Sequence, residues 1–264
     1  MRLMKLRSLA DVDVVDLQQI VELDPALTAN LLRIANCAHY RGAQPVSSAR
    51  AAIVRLGSHG LYEISMGLAL RRMIPDPLPG YEVPASAFMR HSVAVGVVSE
   101  RLARETQAIG SEVAFTMGLL HDIGKLVVGA FLPAPSELRH LQLSNPGASF
   151  EDLERELLET DHNEVGEAIA LQWNLPAEVV AGVRWHHAPC FAPGGASRRA
   201  AAVAHVADAL AHLLGHGTVQ GDLRHHIDGE AARQLGVTPN ELERIAAETL
   251  GPIDELVTAL DSPH

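Results

Sequence analysis

The decapeptide GLLHDIGKLV at 118–127 sets His121 and Asp122 side by side inside an apolar run. A carboxylate buried there without a partner is costly or takes up a proton, so the pair calls for a compensating ligand. Other ionisable residues fall on faces that helical spacing assigns to the interior. His91 shares a face with Val95, Val98 and Leu102, and His162 lines up with Val165, Ile169 and Trp173. His186 and His187 close a segment whose inner face is Val179, Val180 and Val183, and Asp208 stands among Ala204, Ala207, Ala209 and Ala211 with His205 one turn before it. Any one of them alone reads as a hydrogen-bonded core residue. Together, five histidines and two aspartates from separate helices are the ligand types of a divalent transition metal, one or two ions of Fe, Mn, Ni or Zn. Such an ion cancels carboxylate charge and uses the imidazole lone pairs, which makes burial tolerable. Adjacent helical residues point about 100° apart, so His121 and Asp122 share an ion only if it lies over the edge between them.

The elements that must carry these residues are helices. The stretch DPALTANLLRIANCA opens with Asp24 as N-cap and Pro25 at the first helical position, where a missing N–H costs nothing. SSARAAIVRLG is a further short helix stopped by Gly57, and Ser58 caps the next one through Met73. IPDPLPGYEVP, with four prolines and a glycine, reads as a hinge. Helical segments follow at roughly 85–106, 111–131, 149–159, 163–173, 176–187 and 197–214, and a capping box at Thr238 and Glu241 starts the closing helix. No run alternates as strands do. The fold class expected is all-α: an N-terminal helical lobe at 1–74, a hinge at 75–84, a helical core at 85–214 carrying the ligand set, and a C-terminal helical extension at 215–264.

The bulk composition removes several function classes. With 264 residues, 47% hydrophobic and 20% charged, the chain has enough apolar surface for one large core or two modest ones. Its net charge of −11 and the lack of a basic cluster argue against direct nucleic-acid binding. Cys37 and Cys190 lie far apart without a CxxC spacing, which suits reduced thiols. No apolar stretch is long enough to span a membrane and the N-terminus lacks a signal-like apolar run, so a cytoplasmic location is expected.

The order His91, His121-Asp122, Asp208 resembles the HD superfamily of metal-dependent phosphohydrolases. DPALTANLLRIANCAHYRGAQPVSSARAAIVRLG at 24–57 is similar to the signature of the narrower HDOD family, the HD-related output domains of bacterial signalling proteins. MRHSVAVGVVSERLA, AFTMGLLHDIGKLVV, DHNEVGEAIALQWNLP and VRWHHAP follow in that family's order, and the resemblance covers roughly residues 8–214. It implies an all-helical fold, a small N-terminal lobe on an HD-like core, and a role in signal transduction. Many members have lost part of the HD ligand set, whereas this chain keeps it. By resemblance to the HD-GYP phosphodiesterases, His91, His121, Asp122 and Asp208 would hold a first metal, and Asp122 would bridge to a second held by His162, His186 and His187. Lys125 matches a lysine that lies near substrate phosphate in those enzymes. Two positions depart from them: Ala87 stands where a glutamate can be supplied, and APCFAPGG follows His186-His187 in place of an acidic residue and the Gly-Tyr-Pro motif. The second departure argues against hydrolysis of cyclic di-GMP.

Two readings of function follow. In the favoured one the chain is a regulatory module whose metal is structural or sensory, and since no receiver, kinase or cyclase segment is recognisable, it signals through a protein partner. In the other it is a metal-dependent phosphohydrolase acting on a nucleotide or another phosphate ester, with Asp122 and Lys125 at the reacting phosphate.

Overall fold

The structure, a computed structural model, describes residues 25–261 other than 38, 41, 43, 146 and 219–225. The described chain is all-α, as the spacing predicts, with a lone antiparallel residue pair between Leu78 and Val83 as its sole strand-like pairing. The helices are α1 (Pro25–Asn36), α2 (Ala49–Met73), α3 (Ala85–Thr106), α4 (Ser111–Leu120), α5 (Lys125–Val128), α6 (Pro135–Ser144), α7 (Phe150–Leu158), α8 (His162–Gln172), α9 (Ala177–Trp185), α10 (Ala196–Ala211), α11 (Gly229–Leu235) and α12 (Pro239–Asp261). Among the described residues no helix is long and apolar enough to cross a membrane.

The chain divides into two compact units, Met1–Arg72 with Leu250–His264, and Met73–Thr249. In the first unit, α2 is interrupted at Gly57, whose φ of 62° lies in the left-handed region that glycine occupies without strain. That is where the sequence places a stop. Leu31, Ile34, Ile53, Leu56, Ile64 and Leu70, with Ile253, Leu256 and Leu260 from the end of α12, are among its buried apolar side chains. The Asn36 side chain closes the turn after α1 by bonding both polar groups of the Val46 backbone at 2.8 Å. Asp24, expected as the cap of α1, lies outside the described residues.

In the second unit α3 is buried along most of its length and α4 is apolar nearly all round. The two approach closely because Gly118 has no side chain. A Cβ there would sit 2.5 Å from the Val95 carbonyl oxygen. Alanine dominates the buried face of α10 for the same reason: small side chains let it pass close to its neighbours. Capping follows sequence signals. Ser149 and Asp152 form a reciprocal box at α7, Asp161 accepts the Glu164 N–H at 2.8 Å to start α8, and Thr238 and Glu241 bond each other's N–H groups at the start of α12.

Between residues 111 and 187 three elements differ from the expected ones. The segment expected as one helix over 111–131 is broken at His121–Gly124, where the bonds shorten to i→i+3: Ile123 N–H to Leu120 O at 2.9 Å and Lys125 N–H to Asp122 O at 3.0 Å. Gly124 permits the break to pack directly on the start of α8, since a Cβ there would meet the His162 carbonyl oxygen at 1.9 Å. The helix expected to run through His187 stops at Trp185. A helix at Pro135–Ser144, α6, was not expected from spacing.

The proline-rich segment packs on the second unit. Leu78 and Val83 are buried, the Asp76 carboxylate accepts the Ala85 N–H at the start of α3, and the Tyr81 ring lies 5.1 Å from that of Phe150.

Candidate metal centre

The two helix breaks carry the chemistry. Because α4 ends at Leu120, the His121 side chain turns back and its Nδ1 lies 2.7 Å from the Gly118 carbonyl. A carbonyl only accepts, so Nδ1 holds the proton and the lone pair of Nε2 points away from it into the interior. The same logic fixes two more rings. His91 Nδ1 lies 3.0 Å from the His216 carbonyl, and His186 Nδ1 lies 3.0 Å from the Val183 carbonyl. His162, the first residue of α8, has Nδ1 2.7 Å from the Glu154 carboxylate, which leaves its Nε2 lone pair facing inward too.

These lone pairs converge on carboxylates. His91 Nε2 is 3.1 Å from His121 Nε2 and 3.3 Å from Asp208 Oδ1. Asp122 lies between two groups of side chains. Its Oδ2 is 3.5 Å from His121 Nε2 and 3.8 Å from His91 Nε2, while its Oδ1 is 3.6 Å from both His162 Nε2 and His186 Nε2. Two clusters of ligand atoms result, each within 4.8 Å: His91, His121 and Asp208, and Asp122, His162, His186 and His187. All seven residues singled out in the sequence therefore come together. His121 and Asp122 meet over their shared edge, at the tightened turn.

Lys125 is at the rim. Its ammonium donates to Asp122 Oδ2 at 2.6 Å and sits 6.0 Å from the centre of the Tyr81 ring. Around the clusters lie groups outside the expected ligand set. Glu151 Oε1 is 2.8 Å from His187 Nε2, and Glu154, fully buried, bonds His162 and Tyr81. His212 Nδ1 is 3.1 Å from Asp208 Oδ1, and His205 Nδ1 donates to the His186 carbonyl at 2.7 Å, fixing the backbone of that turn. In the sequence Glu151 and Glu154 are two acids in the run EDLERELLE, indistinguishable by spacing from their exposed neighbours.

Burial and charge shape the protonation of the set. Burial pushes His91 down, partly offset by Asp208, and pushes His121 well down, partly offset by Asp122. Burial and His186 push His187 down to about 4 against the pull of Glu151. His162 goes the other way: burial would lower it, but the charge and hydrogen bond of Glu154, with Asp122, raise it. Burial would raise Asp122, yet Lys125, His121, His186 and His162 hold it well below the carboxylate range. The centre thus sets an ionised Asp122 carboxylate among imidazoles, of which burial holds His91, His121 and His187 toward the neutral form.

A metal fits this arrangement. Asp122 Oδ1, His162 Nε2 and His186 Nε2 are buried and have no hydrogen-bond partner in the protein, which is unusual for buried polar atoms. Two imidazole lone pairs facing each other at 3.1 Å repel unless a cation lies against both. The donors, histidine nitrogen and carboxylate oxygen, suit Fe, Mn, Ni or Zn and do not single out one.

A family model described as HDOD domain matches residues 1–189. Among solved structures, an HDOD domain protein of unknown function from Geobacter sulfurreducens is 24% identical with a TM-score of 0.72, covering 99% of this chain and 90% of that one. A protein from Shewanella amazonensis SB2B named a "putative phosphohydrolase" is 25% identical with a TM-score of 0.75, covering 98% and 91%. A protein of Treponema pallidum (strain Nichols), described as uncharacterized, is 26% identical over 186 residues. That match takes in 69% of this chain but 35% of the relative, so the chain spans about a third of its length.

Proposed function

The chain belongs to the HDOD domain family, and we propose that it is a signal-transduction module whose HD core is held together by one or two divalent transition-metal ions. The observation that carries the reading is the pair of inward lone pairs on His91 and His121, 3.1 Å apart, beside Asp208 and Asp122. His91, His121, Asp208 and Asp122 Oδ2 would hold the first ion, and Asp122 Oδ1, His162, His186 and His187 the second. When bound, such ions supply positive charge, polarise phosphoryl oxygens and acidify coordinated water.

Burial favours a structural or sensory role. His91, His121, Asp122, His162 and His186 are each exposed by 1% or less. A catalytic metal keeps a position open to substrate and water, whereas a structural one is closed. The chain's residues enclose the centre: Asp122 links the two clusters, the turn at His121–Gly124 pins α4 to α8, and Lys125 covers the outer oxygen of Asp122. Output then passes to a partner protein through the shape of the metal-held core.

One observation favours the alternative, a metal-dependent phosphohydrolase. Lys125 and His187 are the partly exposed members of the group, with side chains 13% and 22% accessible, and an ammonium there could meet an incoming phosphate ester. The name of the Shewanella amazonensis relative points the same way.

The test is metal analysis of protein purified without chelator, alongside His121→Ala, followed by phosphate release from a panel of nucleotides and cyclic dinucleotides with Mn²⁺ or Fe²⁺. Bound metal in the wild type, lost in His121→Ala, and no phosphate release is the expected result. Turnover that falls about 10²- to 10³-fold in a Lys125→Ala protein with its metal intact would establish the enzyme instead. Equal metal content in wild type and His121→Ala would remove the metal reading.

A further inference from the structure

Glu154 lies outside both ligand clusters, yet it is fully buried and accepts three hydrogen bonds. Its Oε2 receives the His162 backbone N–H at 2.8 Å and His162 Nδ1 at 2.7 Å. Its Oε1 receives the Tyr81 hydroxyl at 2.5 Å. A carboxylate that took only the side-chain bond would leave the ring free to turn about its Cβ. Taking the backbone N–H as well ties ring and main chain to one oxygen, and the ring plane is then set by the first turn of α8. The Tyr81 hydroxyl holds the other oxygen, so the carboxylate itself cannot rotate. His162 Nε2, at the far side of the ring, is aimed at Asp122 Oδ1, 3.6 Å away, and has no hydrogen-bond partner of its own.

We propose that Glu154, with Tyr81 behind it, is the positioning group of the second cluster: it fixes His162 in the Nδ1–H tautomer and turns the Nε2 lone pair onto the site. The inference rests on the metal reading given above. Glu154 touches no proposed ligand atom and is no ligand itself. It acts through His162, in the way that a carboxylate behind a metal-bound histidine fixes the ring and raises its basicity. The clusters are unequal in this respect, since the His91 and His121 rings are oriented by neutral main-chain carbonyls. Loss of a carboxylate of this kind lowers metal affinity by about 10- to 100-fold.

The experiment is a Mn²⁺ titration of the metal-free full chain, read by calorimetry, on wild type, Glu154→Ala, Glu154→Gln and Tyr81→Phe. His91→Ala and His162→Ala mark which binding class belongs to which cluster. Long-range ¹⁵N–¹H correlation of the imidazoles reports the His162 tautomer without any metal. In Glu154→Ala the class removed by His162→Ala should weaken about 10- to 100-fold while the class removed by His91→Ala stays put. Glu154→Gln keeps an oxygen that accepts from Nδ1, so it should retain the Nδ1–H tautomer and recover part of the affinity; it also covers the case in which alanine fails to fold. Tyr81→Phe should weaken the same class by less. Two classes in the wild type with both unmoved in folded Glu154→Ala or Glu154→Gln would overturn the inference alone, as would a wild-type His162 in the Nε2–H tautomer. A wild type that binds no Mn²⁺ would overturn the metal reading and this inference together.

Discussion

The two halves of the buried centre are built differently. Around His91, His121 and Asp208 the rings are oriented by main-chain carbonyls, those of His216 and Gly118. Around His162, His186 and His187 the orienting groups are mainly carboxylates, Glu154 and Glu151, with one carbonyl, that of Val183, on His186. A carbonyl is placed by the backbone of its own segment, so the first half needs the packing of α3, α4 and α10 and the turns that follow α4 and α10. A carboxylate must itself be buried, aimed and kept ionised, so the second half depends on side chains of α7 and on Tyr81. Burial depresses His91 and His121 in the first half and His187 in the second, whereas Glu154 lifts His162. The first half comes with the backbone; the second can be changed by single side chains.

The hardest test of that division is the residue common to both halves. Asp122→Ala removes the carboxylate that lies between the two clusters and leaves Lys125 without its 2.6 Å partner. Breaking a buried ion pair from one side costs about 3–5 kcal/mol. For a chain of this length a kcal/mol is worth about 2–4 °C, so the melting temperature should fall by roughly 10 °C, with both metal-binding classes lost. Retention of either class would show that its cluster is complete without Asp122. Removing metal from the wild type asks the same question with the chain intact. An ion bound to the native state alone stabilises it by mass action, a few kcal/mol at saturation, so a chelator should lower the melting temperature by several degrees. A melt unchanged after metal has been shown to leave would return the histidines to ordinary core roles.

Two glycines allow each half to be disturbed separately. Gly118→Ala places a Cβ against the Val95 carbonyl and the Ser99 hydroxyl, on the side of His121 and the first cluster. Gly124→Ala drives one into the His162 carbonyl, at the start of α8 and the second cluster. Overpacking of this kind costs about 1–3 kcal/mol, more where backbone meets backbone. The expected pattern in Mn²⁺ titration is crossed: the first variant weakens the His91 class, the second the His162 class. Equal effects of both glycines on both classes would mean that the centre moves as one body and the division is superficial.

How much of this was legible in the sequence follows from the same contrast. The helices, the stop at Gly57 and the box at Thr238 come from spacing and local capping, which neighbouring residues decide. The seven residues His91, His121, Asp122, His162, His186, His187 and Asp208 stand out because a polar side chain on an apolar face breaks a pattern. Glu151, Glu154 and Tyr81 break none. Two are acids in a polar helix and the third sits in a turn, and only the tertiary bonds of Tyr81 to Glu154, Glu154 to His162 and Glu151 to His187 make them part of the site. The break at His121–Gly124 was hidden for another reason: LLHDIGKLVV is apolar enough to continue α4, and the close approach of α8 interrupts it there.

The smallest effect belongs to a surface pair that serves as the reference for the buried charges. Arg244 bonds Glu105 at 2.9 Å, and Arg101 and Glu248 complete a partly exposed network between α3 and the first half of α12. The Arg244 hydrogen bond is the main influence on Glu105 and holds its carboxyl below the ordinary value. A carboxylate with a depressed native value adds stability while it is ionised, above its unfolded value, and that stability is lost as the pH falls through the native one. Arg244→Ala should therefore lower the melting temperature slightly at neutral pH, less in high salt, and not at all once the pH is low enough to protonate Glu105 in the folded chain. Water and counter-ions already screen these groups, unlike those at Asp122. A drop for Arg244→Ala as large as that for Asp122→Ala, persisting into acid, would mean that stability in this unit is carried by its surface charges and that the buried centre adds nothing distinctive to it.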